Sequence, residues 1–358
     1  MSEAAVARDP DAVRVEISSR SAADADELST IYRRIFGVEK AARKEAAWAW
    51  QYEQAPGLSA DPAIWVARRD GRAVGQVGTM PVSLWWENQE VRASWGIDYF
   101  VAPEAEGLGY SIELVKAWMH SVDVALVMGL APTSYLICKR LGFRDLGHVP
   151  FFTAVLDPAA IVRRRWGRLA GGVASPVSAA LRVMRSRQRA ARGIELVEAG
   201  DIGADYDELW DRVRAGFAAC VRRDAAYVRW RYRAAPHRSY DVLEARRADT
   251  LSGFIVTCEE DYRGLRLGWI VDVFAVPGDA RAHEALIGGA MQRFAQAGVA
   301  RAQVFTQDER LAAPLKRHGF ARGASHSRLC VRPNGVTDTP FVRPGDWHIV
   351  RGDSDSDR

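Results

Sequence analysis

Apolar and polar positions follow several different periods along the first 157 residues. Alternation with a period of two predicts strands, spacing of three and four predicts helices, and Asp70-Gly71 is typical of a hairpin turn. The predicted elements, in chain order, are strand Val13–Ile17, helices Ala22–Phe36 and Glu39–Tyr52, strands Ala63–Arg68, Ala73–Met80, Val82–Trp86 and Glu90–Val101, helix Leu108–His120, strand Val122–Met128, helix Thr133–Leu141, and a closing pair of strands within Phe143–Val155.

The second half of the chain repeats motifs of the first half in the same order. Four matches at nearly constant displacement are difficult to attribute to chance, and a period of this length indicates a duplicated domain. The matched segments are Trp50–Pro56 with Trp230–Pro236, Gly75 with Gly253, Asp98–Pro103 with Asp272–Pro277, and Lys139–Phe143 with Lys316–Phe320. We therefore predict an N-terminal domain over 1–157, a connector over 158–192, a second domain over 193–350 and an acidic, solvated tail over 351–358.

Composition supports a folded protein with two domains. The chain has 358 residues, 48% of them hydrophobic and 26% charged, which exceeds a typical single core of about 100 to 200 residues. Its four cysteines lack disulfide-type or metal-type spacing, its N-terminus lacks a signal-type apolar core, and it has no apolar run of about 18 residues. We therefore expect a cytoplasmic protein without a membrane span or a metal site.

The formal net charge is only +4, and the surplus of arginine is concentrated in the connector over 158–192. Arginines alternate there with apolar residues, which predicts one or two amphipathic helices. Such a segment can be a solvated linker that packs across the two domains, or it can lie on an anionic membrane surface.

One turn carries a candidate for chemistry. Gly107 and Gly109 lie between a predicted strand that ends at Val101 and a predicted helix that begins at Leu108. Glycines allow the backbone to approach a ligand closely, and the free amides of a helix N-terminus bind anions such as phosphates. The alternative is that these glycines only supply positive φ angles.

This order of strand, Gly-x-Gly turn, helix, apolar strand and helix ending in Leu141-Gly142-Phe143 resembles the GCN5-related N-acetyltransferase (GNAT) superfamily. Asp98–Gly109 and Lys139–Phe143 carry most of the resemblance. It implies an α+β (mixed α/β) fold with two tandem domains, each a mostly antiparallel central sheet flanked by helices. It also implies acetyl-CoA or another acyl-CoA as co-substrate.

The resemblance assigns the cofactor contacts residue by residue. Backbone amides of Gly107, Leu108 and Gly109 are expected to bind the pyrophosphate, with Ser111 as a further donor. The family pattern begins with Arg or Gln where this chain has Glu104, so we expect Glu104 to point to solvent together with Glu106. The backbone amides expected near the acyl carbonyl are those of Phe100, Val101 and Ala102.

Asp98 is the predicted base that takes the proton of the acceptor amine, directly or through water. The alternative is a structural hydrogen bond shared by both copies, because Asp272 stands at the equivalent position. Family members often use a tyrosine as the acid where this chain has Cys138. Tyr135 lies one helical turn earlier and is the second candidate, and water is the third.

The second copy lacks the Gly-x-Gly spacing after Pro277, so the first copy is the predicted cofactor site. We predict N-acyl transfer, most simply acetyl transfer, to a primary amine of a small metabolite or an amino sugar. The second copy is expected to complete the acceptor pocket as a pseudo-dimer, and a homodimer of the whole chain stays open. The alternatives are a Fem-type transferase that uses aminoacyl-tRNA, and a non-catalytic protein that binds a ligand or a partner.

Overall fold

A computed structural model describes residues 16–20, 24–57, 63–167, 175–179 and 193–355. The remaining residues include 13–15, where the first predicted strand begins, most of the connector, and the last three residues of the predicted tail. The elements of the first half are β1 (Glu16–Ser19), α1 (Ala25–Phe36), α2 (Val38–Ala46), α3 (Trp48–Tyr52), β2 (Ile64–Arg69), β3 (Arg72–Trp86), β4 (Gln89–Val101), α4 (Tyr110–Met119), β5 (Val124–Met128), α5 (Pro132–Arg140), β6 (Arg144–His148) and β7 (Phe151–Val155).

The second half repeats this order after the connector helix α6 (Pro158–Trp166). Its elements are β8 (Glu195–Glu198), α7 (Ala204–Val213), β9 (Ala219–Val221), α8 (Ala225–Val228, continued by one π turn over Arg229–Arg233), β10 (Asp241–Arg247), β11 (Thr250–Tyr262), β12 (Leu265–Ala275), α9 (Ala280–Gln296), β13 (Arg301–Phe305), α10 (Ala312–Arg317), β14 (Ala321–Gly323), β15 (Arg328–Pro333) and β16 (Trp347–His348).

Two predicted elements differ from the structure. The predicted helix Glu39–Tyr52 is interrupted at Ala47, and this break turns the aromatic side chains of α3 into the core while α2 stays mostly exposed. The two strands predicted on either side of Pro81 are the single strand β3. Pro81 is tolerated there because β2 pairs with β3 only up to Gly78 and β9 only from Leu84 onward, so no strand requires its missing N–H.

Each half forms one mostly antiparallel sheet of the predicted α+β class. The first sheet has the strand order β1-β2-β3-β4-β5-β15-β6, and the second has β8-β10-β11-β12-β13-β7-β14. The β4–β5 and β12–β13 pairs are parallel, while the other pairs along these two paths are antiparallel. Equivalent elements therefore occupy equivalent places, and the predicted duplication of a mixed α/β domain is confirmed.

Strands cross between the halves in both directions: β9 and β16 of the second half extend the first sheet beside β3, and the two halves also exchange one closing strand each. The sequence predicts β6 and β7 as a closing pair, but β7 lies in the second sheet between β13 and β14. In return β15 lies in the first sheet between β5 and β6. The predicted boundaries at residues 157 and 193 therefore separate the two copies in the sequence. They do not separate two independent sheets, because each sheet is completed by a strand from the other copy.

A pair of tryptophans marks the pseudo-twofold axis between the halves. The rings of Trp50 and Trp230 stack with centroids 5.0 Å apart. Each indole Nε1 donates a hydrogen bond of 2.7 Å to the main-chain oxygen of the other tryptophan. Reciprocal contacts of this kind define an isologous interface, here within one chain. The largest buried apolar cluster spans this interface and includes side chains of both sheets.

The acidic C-terminal segment is described up to residue 355, and it is buried or half-buried over 351–355. The prediction of a solvated tail is therefore wrong. The Asp353 side chain is fully buried, and its Oδ1 atom forms an ion pair with Arg223 Nη2 over 2.7 Å. Asp353 Oδ2 also accepts the Val350 N–H over 2.7 Å. Arg231 Nη2 donates to the main-chain oxygen of Ser354 over 2.9 Å. Charge pairing in the interior, which a sequence of alternating aspartates does not reveal, decides this placement.

Candidate functional site

A wedge opens between β4 and β5 of the first sheet. The two strands pair only over Ala93–Trp95 and Val124–Leu126 and then separate. A β-bulge lies at the point of separation, because Asp98 and Tyr99 of β4 together face the single residue Val77 of β3. Asp98 has a φ angle of 50°, a left-handed value that is uncommon outside glycine. The bulge therefore lies on β4 just beyond its last pairing with β5.

A cleft of about 910 Å³ passes through this wedge. The arm on the side of α4 and α5 is lined by apolar side chains: Val115, Trp118, Val127, Ile137 and Cys138. The arm on the opposite side is lined by α1 and α2 and by the second half: Tyr32, Phe36, Lys40, Arg43, Lys44, His237, Arg238 and Asp355. We call these the apolar arm and the polar arm.

Asp98 lies on the polar arm and joins three elements. Its Oδ2 atom accepts hydrogen bonds from Tyr52 Oη over 2.5 Å and from Gln51 Nε2 over 3.2 Å. Lys44 Nζ lies 2.8 Å from the same oxygen, and both side chains of this ion pair are about one-tenth exposed. Asp98 therefore anchors α2 and α3 to the bulge and at the same time presents a carboxylate to the cleft.

The structural alternative for Asp98 has direct support in the second half. Tyr232 Oη donates to Asp272 Oδ2 over 2.8 Å, which repeats the bond between Tyr52 and Asp98. The surroundings differ, since Asp272 is fully buried and also contacts Arg223 Nε at 3.1 Å. The tyrosine–aspartate bond therefore belongs to both copies, whereas the open cleft beside Asp98 belongs to the first.

Tyr99 lies on the apolar arm, opposite to Asp98, and the sequence analysis did not identify it. The Ser111 hydroxyl at the start of α4 hydrogen-bonds to its side chain. Burial raises the pKa of Tyr99 despite this bond, so the phenol keeps its proton at neutral pH. Adjacent side chains of a strand point to opposite faces, so Asp98 and Tyr99 lie on the two arms of one cleft. The Asp98–Tyr99 dipeptide within a predicted strand was the available signal.

The Gly-x-Gly turn has the geometry expected for an anion site. Gly107 and Gly109 have φ angles of 79° and 89°, and a Cβ atom at either position would meet no atom within 4 Å. Their conformation thus requires glycine, and the space in front of them is open. Gly109 caps α4 and accepts the Ile112 N–H over 3.1 Å, which leaves the amides of Tyr110 and Ser111 at the open end of the helix. Leu108 is exposed and its N–H makes only a long hydrogen bond of 3.5 Å to Ala105 O, while the half-buried Ser111 bonds to Tyr99 through its hydroxyl.

Arg34 compensates the acidic residue that departs from the family pattern. Glu104 and Glu106 are both exposed, as the sequence predicts. Arg34 Nη2 contacts the two Glu104 oxygens at 2.7 and 2.9 Å, and this hydrogen bonding lowers the pKa of Glu104. The pair places a guanidinium beside the turn and removes most of the repulsion that a lone carboxylate would exert on an incoming phosphate.

Of the three predicted strand amides, one faces the wedge. Ala102 N–H donates to Val74 O over 2.7 Å, so it points towards β3. Alternation along a strand directs the Phe100 N–H to the same side. Only Val101 directs its amide away from β3, and the residues of β4 that line the cleft are Gly96–Tyr99. The prediction for Phe100 and Ala102 is therefore wrong, because the strand pairing already uses these amides.

The two predicted acids occupy different environments. Cys138 lines the apolar arm, but burial raises the pKa of its thiol to about 12. Tyr135 lies outside the residues that line the cleft, and its Oη donates to Asp145 Oδ2 over 2.8 Å. That hydrogen bond raises the pKa of Tyr135. Cys138 is thus close to the wedge but a weak acid, and Tyr135 is directed to a neighbouring strand.

The equivalent wedge of the second half is filled by the chain itself. Beyond the β12–β13 pairing, Thr306 pairs with Val350 and Gln307 N–H donates to Ile349 O over 2.8 Å. A Cβ atom at Gly352 would lie 2.2 Å from Tyr232 Oη and 3.2 Å from a Val271 methyl group, which shows how closely the segment fits. Segment 349–353 thus occupies the space that is open in the first half.

The start of α9 also differs from the start of α4. Asp279 caps α9 by accepting the Ala282 N–H over 3.1 Å, and it forms an ion pair of 2.7 Å with Arg247. A carboxylate therefore takes the position at which α4 offers free amides.

Side chains of the second half complete the polar arm, and the sequence analysis missed them. His237 packs against Trp50 with ring centroids 5.0 Å apart and lies 3.2 Å from Tyr240 Oη. Arg238 follows it and contacts Glu260 Oε2 at 3.0 Å. The repeated Trp-x-Tyr motif was the available signal, because His237 directly follows its Pro236 where the first copy has Gly57.

The open wedge and the glycine turn belong to the first of two copies of one α+β domain. Residues 16–145 match the family described as the Acetyltransferase (GNAT) domain. This segment belongs to the GNAT family, and the resemblance predicted from the sequence is confirmed. No curated protein matches the chain.

Solved structures share the fold over most of the chain at low sequence identity. A GCN5-related N-acetyltransferase from Anabaena variabilis has a TM-score of 0.61 and 13% identity, covering 89% of this chain and 73% of that one. One from Kribbella flavida has a TM-score of 0.59 and 14% identity, covering 89% and 71%. Saccharomyces cerevisiae N-myristoyltransferase with bound myristoyl-CoA has a TM-score of 0.55 and 13% identity, covering 91% and 86%.

Within the described residues, no helix combines the length and the apolar character needed to cross a membrane.

Proposed function

We propose that this chain is an acyl-CoA-dependent N-acyltransferase that acylates a primary amine of a small molecule. One observation carries the proposal: the wedge is open in the half that has the Gly-x-Gly turn and is filled in the other half. Acyl-CoA supplies the acyl group as a thioester, and acetyl-CoA is the simplest form. The myristoyl-CoA bound by the yeast neighbour supports an acyl-CoA for this fold.

The residues of the first half fit such a co-substrate. The amides at Gly107–Gly109 and the first turn of α4 would bind the pyrophosphate, with Ser111 beside them. The Val101 amide and the apolar arm would contact the pantetheine. The open space before both glycines is the structural evidence for this fit, because a Cβ at Gly107 or Gly109 meets no protein atom.

Proton transfer would be divided between the two arms. Asp98 on the polar arm would accept the proton of the amine, directly or through water. Its pairing with Lys44 makes the combined charge neutral, which favours entry of the uncharged amine over the ammonium form. Tyr99 Oη holds a proton on the apolar arm, so it replaces Cys138 and Tyr135 as the proposed acid. The four cysteines are free and buried, which agrees with the cytoplasmic location proposed from the sequence.

Calorimetric titration with acetyl-CoA tests the site. The wild type should bind, and Gly109→Trp should abolish binding because an indole would occupy the space in front of the α4 amides. Gly278→Trp is the matched control, since Gly278 has a φ angle of 85° and equally open surroundings in the corresponding turn of the second half. This control should bind acetyl-CoA normally and suffer the same backbone strain.

A folded wild type that fails to bind acetyl-CoA would overturn the proposal and favour the tRNA-dependent alternative, which requires salt-sensitive RNA binding. Binding without transfer to any amine would favour the non-catalytic alternative. Equal loss of binding in both glycine variants would show that strain, and not the site, causes the effect.

A further inference from the structure

The polar arm of the cleft carries an excess of positive charge. Four cationic side chains line it among the described residues, against the two carboxylates Asp98 and Asp355. We propose that the acceptor carries an anionic group, a carboxylate or a phosphate, in addition to its amine. This inference rests on the proposed function and specifies its substrate class. The binding residues are Lys40, Arg43 and Arg238, which we call the cationic rim.

The internal ion pairs leave part of this charge available. Lys44 pairs with Asp98 at the bottom of the arm. Arg43 pairs with Glu39 on the outer surface, where both side chains are more than 70% exposed, so water and salt weaken this interaction. Lys40 lies three residues before Arg43 on the same face of α2 and forms no ion pair with any described residue. An anion between them would relieve the repulsion of these like charges.

Arg238 approaches the arm from the second half. Its side chain is only 19% exposed, and the neighbouring Cys258 and Glu260 more than offset the effect of burial and raise its pKa. It therefore keeps its charge at neutral pH, and the ion pair with the part-exposed Glu260 at 3.0 Å offsets only part of it. A guanidinium that is partly shielded from water interacts more strongly with an anion than an exposed one does. The two copies thus supply cations from opposite sides of one opening.

The location of the rim separates it from the expected phosphate site of acyl-CoA. The Gly-x-Gly turn begins α4, which packs on the face of the first sheet that carries the apolar arm. The rim stands on the face that α1, α2 and the second half cover. Charged side chains are absent from the apolar arm among its described lining residues. The rim therefore faces the acceptor.

Pairs of acceptors that differ by one anionic group test the inference. Glucosamine 6-phosphate is compared with glucosamine for the phosphate, and phenylalanine with phenethylamine for the carboxylate. Both kcat/KM with acetyl-CoA and calorimetric affinity without it are measured. The anionic member of at least one pair should be preferred about tenfold or more, and 0.5 M NaCl should reduce this preference. The pair that shows the preference identifies the anion.

The variant K40Q/R43Q should reduce the preference at least about fivefold, in both kcat/KM and affinity, without changing the affinity for acetyl-CoA. The control K139Q/R140Q removes the same two charges from exposed positions on α5 outside the cleft, and it should behave as the wild type. Transfer with equal efficiency to charged and neutral acceptors would overturn this inference alone. Weaker binding of acetyl-CoA by K40Q/R43Q would also overturn it, whereas a failure to acylate any amine would overturn the proposed function itself.

Discussion

Replacing Arg223 by methionine tests how the C-terminal segment is held in the second half. The Arg223 side chain is fully buried and lies between two carboxylates, with Nε 3.1 Å from Asp272 and Nη2 2.7 Å from Asp353. Its Nη1 donates to Val221 O over 2.6 Å. Methionine has a similar length and fills the same space, so the variant removes the charge and leaves little cavity.

The expected loss is about 3 to 5 kcal/mol in the free energy of unfolding, the usual cost of removing one partner from a buried ion pair. Burial raises the pKa of Asp353 even beside Arg223, so this carboxyl can take up a proton when the arginine is lost. Burial alone would raise the pKa of Asp272 as well, but Arg223 and the hydrogen bond from His348 lower it to about 2. In the variant Asp272 loses this cation and keeps only His348 and Tyr232 among these partners, so we expect the loss near neutral pH to lie within this range of about 3 to 5 kcal/mol.

Urea denaturation followed by circular dichroism measures the loss. Arg33→Ala is the control, because Arg33 and Glu45 form an exposed pair at 2.6 Å that should contribute at most about 1 kcal/mol. Trypsin cleavage after Arg351 provides a second measurement and should be faster in R223M, since the segment would lose its anchor. A variant within about 1 kcal/mol of the wild type, with unchanged cleavage, would refute the argument that the buried charges hold this segment.

Two further predictions concern the interface and the pH dependence of stability. Trp50→Phe and Trp230→Phe should each lower the free energy of unfolding by about 2 kcal/mol, because each leaves one buried carbonyl without its donor. The two losses should agree to within about 1 kcal/mol, and strongly unequal losses in urea titrations would contradict the pseudo-twofold contact. Burial lowers the pKa of His348, but its bonds to Asp272 and Asp308 raise it overall, so protonated His348 stabilises the fold fully below about pH 6.5 and less as pH rises through its folded pKa. The wild type should therefore exceed His348→Gln in stability by more at pH 6 than at pH 9, and a difference that does not change with pH would exclude this role.

Local patterns predicted most of the secondary structure and the position of the Gly-x-Gly turn. Alternation in β2–β4, the hairpin signal Asp70-Gly71 and the glycines before α4 act over a few residues, so they are readable without knowledge of the fold. Asp98 was identified by its place in a strand of known type. The structure adds its partners Tyr52 and Lys44, which come from α3 and α2 and have no fixed spacing from it.

The exchange of β7 and β15 was beyond any local pattern. β5 and β13 are equivalent strands, and each has one edge open to a further strand. β7 or β15 could therefore pair with either of them and form the same backbone hydrogen bonds. Tyr99 was missed for a related reason. Alternation places Asp98 and Tyr99 on opposite faces of β4, but only the separation of β4 from β5 opens both faces to one cleft.

The sequence by itself determined that the chain is a duplicated α+β protein with one intact Gly-x-Gly turn. Repeated motifs and the glycines of a turn depend only on residues that are close together in the chain. Only the tertiary structure decided which wedge is open, since the closing segment 349–353 reaches the second wedge from far along the chain. It also decided that His237 and Arg238 join the polar arm of the other half. Burial and charge pairing between distant residues set these outcomes, and neither leaves a periodic signal in the sequence.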